Sequence, residues 1–503
     1  MLLKGFISRE LIPGAQNELK GSLQRISDHA LDDLLLGLSQ FAPSFVLNKE
    51  KITVLTEPKE FFFTLKNKIL NARRRVFLST LYIGKSEYEL YTVLHKALSL
   101  NMDLRVSILM DALRGTREAP GPTSASLLVP LISLFGRHRV DICMYHTPNS
   151  SGLKRILPSR VNECWGVQHM KIYGFDDEVI LSGANLSCEY FTNRQDRYHL
   201  FSSPQLTDFY ATIHQFISSI SYKLVPSDSP EKMALVWLSD TNCPEPTKDP
   251  ENFRRHSTSV LLKLLKPTPI NTNEVFSTIV YPLFQFSPIF KPYDFSTEKK
   301  GICLILDTFL SSQSTDYDWI LTSGYFNTDK DYSKRLLTSS SKGCVIVSSQ
   351  QANSFYNSPW PSKMIPSAYS FLAERFLLDV YKANKQDNIH LEEWKNGCHG
   401  EGGWTYHAKG LWIMPSQENE DKGRKPYITF IGSSNFSRRS HSLDLEATAL
   451  IITFDTELKK SLRDEIENFR NYSKKVDLSD FSSPDRKTGW FVKLCVWILG
   501  KMF

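Results

Sequence analysis

The sequence contains no run of 18 or more apolar residues, so no membrane-spanning helix is expected. It also has no C-x-x-C pair. Its eight cysteines, Cys143, Cys164, Cys188, Cys243, Cys303, Cys344, Cys398 and Cys495, are scattered along the chain. That spacing argues against a zinc site or a small disulfide scaffold and suits a reducing compartment. A strong charge of either sign is missing too. A net charge of +6 over 503 residues suits anionic partners such as phosphorylated substrates or an acidic membrane surface. It lies far below the density of a nucleic-acid coat, and no basic stripe with interleaved aromatics is present, so nucleic acid is not an expected partner. What is there is globular in composition, 41% apolar and 23% charged. The chain is too long for one ordinary core, which points to two domains or one duplicated domain.

The stretch "QHMKIYGFDDEVILSGANLS", Gln168 to Ser187, carries His169, Lys171, Asp176 and Asn185. It reads as a strand, a turn at the two aspartates and a returning strand. Residues two apart in a strand share a face, so His169 and Lys171 point the same way and the hairpin returns Asn185 beside them. The pattern recurs: "YHAKGLWIM" holds His407 and Lys409, and "KPYITFIGSSNFS" ends the returning strand near Asn435. Sixteen residues separate His169 from Asn185 and twenty-eight separate His407 from Asn435, the excess fitting within the polar loop "PSQENEDKGRK". Eleven residues beyond each asparagine stands an acid, Asp196 and Glu446. Upstream, "VFLSTLYIGKSEYELYTVL" from Val76 aligns without a gap on "WILTSGYFNTDKDYSKRLL" from Trp319, matching Tyr82 with Tyr325.

The expected architecture is therefore two α/β halves, residues 51–225 and 276–475, sharing one site about a pseudo-twofold axis. Residues 226–275, rich in Pro and polar residues, are read as a connection. Residues 1–50 form an N-terminal segment, either the stub of a presequence or an ordinary N-terminus. Residues 476–503 end in "GWFVKLCVWILGKMF", too short to span a bilayer and composed to lie at a lipid surface or to dock on the protein's own core.

Two histidines, two lysines and two asparagines suit an anionic phosphodiester. One imidazole attacks phosphorus and the other acts as general acid, then base. Lys171, Lys409 and the amides of Asn185 and Asn435 would stabilise the non-bridging oxygens. Asp196 and Glu446 are placed to orient the imidazoles. Arg114 and Arg117 in "DALRGTRE", and Arg438 with Arg439 beyond Asn435, are candidates for gripping a second phosphate. The alternative for Arg114 and Arg117 is surface pairing with Asp111 or Glu118. The stretch from Ser79 to Ser86 ends in Gly84, Lys85 and Ser86 like a P-loop but keeps a single glycine, so any nucleotide contact there would be with a cytidine diphosphate sooner than with ATP.

His169-x-Lys171-x4-Asp176 followed by Gly183-Ala184-Asn185 resembles the HKD motif of the phospholipase D superfamily, and His407-x-Lys409 with "GSSN" resembles its second copy, with Met414 where an aspartate would stand. The resemblance implies the duplicated phospholipase D-like fold and a phosphohistidine intermediate. The blocks "STLYIGKSE", "LMDALRGTRE", "YFTNRQDRY" and "GSSNFSRRSHSLDLEA" resemble more closely the eukaryotic phosphatidylglycerophosphate synthases, over nearly the whole chain from Lys51 to Lys501. This implies CDP-diacylglycerol and glycerol 3-phosphate as substrates, His169 as nucleophile and His407 as acid and base, with the reverse assignment open. It implies a peripheral protein of the mitochondrial inner membrane, facing the matrix. No cofactor is required by the chemistry, ATP is not expected, and a divalent cation on the pyrophosphate stays open, as does oligomeric state. Other readings are a phospholipase D-type hydrolase, a serine or cardiolipin synthase, or a non-catalytic membrane-surface protein.

Overall fold

Arg75–Ser79 and Tyr317–Ser323, the segments whose alignment marks the duplication, are inner strands of two nine-stranded mixed sheets. The computed structural model describes residues 28–500 apart from 120, 153, 155–157, 230–231, 239–241, 269–276, 311–314, 398–401, 417–423 and 485. Arg75–Ser79 pairs in parallel with Arg105–Asp111, which pairs in parallel with Val140–Tyr145. Tyr317–Ser323 repeats this with Gly343–Ser348 and Ile389–Trp394. These strands are nearly continuous apolar runs because both faces of a parallel sheet are covered. On the other side each sheet turns antiparallel. Ile172–Phe175, Glu178–Ser182, Tyr198–Ser202 and Ile52–Leu55 follow in one half; Lys409–Pro415, Ile428–Gly432, Glu446–Thr453 and Thr278–Gln285 follow in the other.

Helices such as Pro58–Asn71 and Tyr88–Leu100 cover the outer face of the first sheet, and Glu298–Phe309 and Ile365–Lys382 that of the second. The inner faces meet in one shared core, where Leu109, Ile172 and Phe201 of the first half pack with Phe284, Ile431 and Ile451 of the second. The expected two-half α/β plan holds; its boundaries do not. Phe45–Leu47 extends the second sheet, Phe45 opposite Val280, and the helix Asp28–Leu38 buries Leu31, Leu34 and Leu38 against Ile302, Ile305 and Leu306. Residues 28–47 therefore belong to the second half. Nor is 226–275 merely a connection: Met233–Val236 extends the first sheet and the helix Pro250–Leu264 seats Phe253 and Leu261 in the shared core. The presequence reading concerns residues that lie outside the described ones. Among the described residues no helix is long and apolar enough to cross a membrane, and the seven described cysteines are free.

Asp176, expected in the catalytic set, sits instead at the hairpin turn with φ 47°. Aspartate tolerates this left-handed conformation better than most residues. Its carboxylate accepts from the backbone amides of Arg73, Arg74 and Arg75 at 2.8, 2.9 and 3.1 Å. It thus ties the hairpin to the start of a neighbouring strand. In the second half the longer loop is tied from the other direction: Asp318 accepts from Ser416 Oγ at 2.8 Å and pairs with Arg424. Met414, at the position of Asp176 in the repeat, faces no such task.

Partial burial opposes ionisation of Asp176, but the three amides outweigh it and lower its pKa. Its stabilisation is therefore present above the ordinary carboxylate range and lost as pH falls through the lowered value. Asp176→Ala should cost about 1–3 kcal/mol in urea unfolding at pH 7, and the gap from wild type should shrink as the pH drops below about 4.

Candidate active site

The two histidines precede the antiparallel strands, and each is anchored to the opposite half. His169 N donates to Leu445 O at 2.9 Å, and His407 N donates to Gln195 O at 2.8 Å. Leu445 and Gln195 are the residues before Glu446 and Asp196, so the backbone contacts deliver each imidazole to the other half's acid. His169 Nδ1 lies 3.0 Å from both carboxylate oxygens of Glu446. His407 Nδ1 lies 2.6 Å from Asp196 Oδ2. The acids were expected in this role; their exchange between halves was not, since chain spacing carries no information about which half faces which. Gly183 is required where the halves meet: a Cβ there would come within 2.5 Å of Asp196 Oδ1 and 2.8 Å of Lys409 Cδ.

Burial lowers both histidine pKa values well below their ordinary value, with Lys171 and Lys409 respectively adding to the effect. The imidazoles are neutral near pH 7, and the acid on each Nδ1 fixes the proton there, leaving Nε2 with its lone pair. Burial also raises the acids, Glu446 to about 7 despite Lys171 and a hydrogen bond from Ser433, and Asp196 despite Lys409. Lys171 Nζ donates to His169 O at 2.7 Å. Lys409 Nζ lies against the His407 ring and 3.5 Å from Asp196 Oδ2. Both lysines are 1% exposed. Burial lowers Lys409 to about 8, with Asp196 opposing.

Asn185 donates to Tyr190 OH at 3.1 Å, and that hydroxyl lies 3.2 Å from His407 Nε2. The Oδ1 atoms of Asn185 and Asn435 are both buried without a hydrogen-bond partner. The unpartnered Asn185 oxygen, on the amide whose nitrogen reaches Tyr190 beside His407, leaves a free acceptor for a polar ligand.

Three of the four candidate arginines are already partnered, and the fourth faces solvent. Arg117 is neutralised by Glu163, donating from Nε at 2.7 Å and from Nη2. Arg114 shares that acid at 3.6 Å and lies over the Tyr82 ring at 4.7 Å. The pairing acid is thus Glu163, forty-six residues beyond Arg117, and not Asp111 or Glu118. Arg438 is exposed, whereas Arg439 pairs with Asp444 at 2.9 Å. The amide of Gly84 donates to Leu186 O at 2.8 Å and Lys85 and Ser86 are exposed, so the glycine amide of this turn is already spent within the fold. Tyr190, Ser433 and Arg194 went unnoticed in the sequence; only the position of Arg194, two before Asp196, could have drawn attention to it.

The arrangement provides two neutral, oriented imidazoles and two lysines facing one buried locus, which is the equipment for phosphoryl transfer through a phosphohistidine. No protein-family model matches the chain. The Saccharomyces cerevisiae CDP-diacylglycerol–glycerol-3-phosphate 3-phosphatidyltransferase is 45% identical over 466 residues, covering 91% of this chain and 89% of the relative. The chain belongs to this phosphatidyltransferase family.

The Gallus gallus mitochondrial member of the phosphatidyltransferase family is 32% identical over 501 residues, covering 93% and 86%. Among solved structures, a Haemophilus influenzae phosphatidylserine synthase superposes with a TM-score of 0.70 over 95% of this chain and 97% of its own, at 20% identity. That likeness concerns the fold, which is the duplicated phospholipase D-like one.

In this phosphatidyltransferase, Glu446→Gln should cost kcat about 10²- to 10⁴-fold by releasing the His169 tautomer. In ¹⁵N NMR the Nδ1–H resonance of His169 should shift or vanish while that of His407 stays, which an uncrossed pairing would reverse.

Proposed function

We propose that the chain transfers the phosphatidyl group of CDP-diacylglycerol to the primary hydroxyl of sn-glycerol 3-phosphate, releasing CMP and forming phosphatidylglycerophosphate. The observation that carries the mechanism is the pair of neutral imidazoles, each held by a carboxylate of the opposite half. His169 is the nucleophile: its side chain is the more exposed of the two, at 13% against 5%, whereas Nε2 of His407 is engaged by Tyr190. His169 Nε2 attacks the diacylglycerol-bearing phosphorus, the bond to the bridging oxygen breaks, and CMP departs with both electrons. CMP is a good leaving group and asks little of an acid. The acceptor hydroxyl then attacks the same phosphorus, His407 takes its proton, and the P–N bond breaks. Lys171 and Lys409 neutralise the charge gathering on the non-bridging oxygens. ATP has no part, since the pyrophosphate carries the energy. A divalent cation bound to the pyrophosphate would arrive with the donor.

The protein acts at a membrane because its donor is a lipid, and the mitochondrial names of the vertebrate relatives support a mitochondrial setting. Peripheral attachment at the matrix face of the inner membrane is supported by the helix Trp490–Leu499. Trp490, Phe491, Leu494, Trp497 and Ile498 are all exposed along one face. Its other face seats Val496 on Ala368 and Leu372, beside Tyr369. Tyr369 packs on Tyr325, and Tyr325 on His407. Two aromatic rings therefore separate the lipid-facing helix from the second histidine.

In mixed micelles, sustained CMP release should require glycerol 3-phosphate and be lost in His169→Ala and His407→Ala; sustained release without any acceptor would mean a hydrolase. Glu446 must be ionised to hold the imidazolium formed in the reaction and Lys409 must be protonated. Activity should therefore rise with pH through about 7 and fall above about 8. Trp490→Ala with Trp497→Ala should weaken binding to vesicles by about tenfold or more in a flotation assay.

A further inference from the structure

Arg194 is 9% exposed and stands on the two-residue ladder where the halves join, Arg194 opposite Thr405 and Gln195 opposite Tyr406. Its Nε donates to Thr405 Oγ1 at 3.0 Å, and its guanidinium lies 4.6 Å from the centre of the Tyr190 ring. Among the described residues, no carboxylate lies within ion-pair distance and neither Nη nitrogen has a hydrogen-bond partner. A guanidinium left this way is costly, because its Nη donors have lost most of their water and gained no protein partner in return. Every other cation in the site has an acid nearby or a backbone carbonyl to bind.

The duplication sharpens the point. Asp444 stands two residues before Glu446, where Arg194 stands two before Asp196. Asp444 accepts from Val167 N at 3.0 Å and pairs with Arg439. One half thus carries a neutralised acid and the other an unneutralised cation. The reaction is lopsided in the same sense. The transferring phosphoryl group is served by a symmetric set of His, Lys and Asn, but one substrate brings a second, non-reacting phosphate.

Building on the proposed transfer reaction, we propose that Arg194 is the receptor for the phosphomonoester of the acceptor, and so selects a phosphorylated alcohol over a plain one. The Tyr190 ring neighbours both Arg194 and His407, whose own ring centre is 5.1 Å from it. The base that would deprotonate the acceptor hydroxyl and the fork that would hold its phosphate share one tyrosine as a neighbour, so one small phosphate ester would meet both. Arginine's planar fork matches a phosphate bidentately, and in a buried setting such a contact is strong.

The test compares transfer to glycerol 3-phosphate with transfer to glycerol at high concentration, in wild type, Arg194→Ala and Arg194→Lys. Loss of the fork should lower kcat/KM for glycerol 3-phosphate about 100-fold in Arg194→Ala, through KM, and at least roughly 30-fold more than for glycerol. Arg194→Lys should recover part of the difference. An equal fall with both acceptors would overturn the inference and make Arg194 a support for Tyr190 and His407. Should Arg194→Ala fail to fold, inorganic phosphate serves as probe: it should compete with glycerol 3-phosphate in wild type and about tenfold more weakly in Arg194→Lys. Unchanged competition would again overturn it. A wild-type protein that transfers to glycerol but never to glycerol 3-phosphate would instead sink the proposed reaction itself.

Discussion

Two carboxylates held out of water, each against an imidazole from the opposite half, set the terms for the rest of the molecule. Neither Glu446 nor Asp196 would ionise readily in its surroundings without partners, and burial raises both. The partners come across the interface, so the site exists only while the halves stay docked. The fold secures this with more than apolar packing. Arg197, the residue after Asp196, is fully buried and donates to both oxygens of Glu465 at 2.9 and 2.8 Å, to Phe430 O at 2.6 Å, and lies over Trp412 at 4.0 Å. Burial would raise Glu465, but Arg197 and His199 hold it down to about 2. The segment that carries one acid is thereby clamped to the half that supplies its histidine.

Duplication supplies equal inventories, and the surroundings make them unequal. His407 is enclosed by the edges of Tyr190 and Tyr325 and touched by Lys409. His169 is somewhat more open, and burial raises its acid, Glu446, to about 7. A two-step displacement benefits from this difference, because one imidazole must become covalently occupied while the other keeps trading a proton. The same divergence appears two residues before each acid, in Arg194 and Asp444.

Much of this was legible in the chain because period and repetition are local signals. The His-x-Lys spacing, the returning strand with its asparagine and the equidistant acid all follow from strand alternation, applied twice. What stayed hidden depends on the third dimension. The exchange of acids between halves leaves no trace in spacing. Asp176 looked chemical because it belongs to a motif, yet its carboxylate is spent on three backbone amides of a neighbouring strand. Gly84 looked like a phosphate loop because nothing in the sequence says that Leu186 already occupies its amide. Arg117 found its acid at Glu163, a distance no local rule reaches.

The strand Phe45–Leu47 closes the edge of the second sheet by pairing with Thr278–Gln285, and so covers backbone groups that would otherwise recruit another chain. Its partner lies more than two hundred residues downstream. During synthesis this early segment emerges with its hydrogen-bonding and apolar faces unmet, and it must wait until most of the protein has left the ribosome. The first half can build its own sheet in the meantime. The order of folding is therefore not the order of the sequence: the chain's opening elements are among the last to find their place, and a cut between the halves would leave them on the wrong fragment.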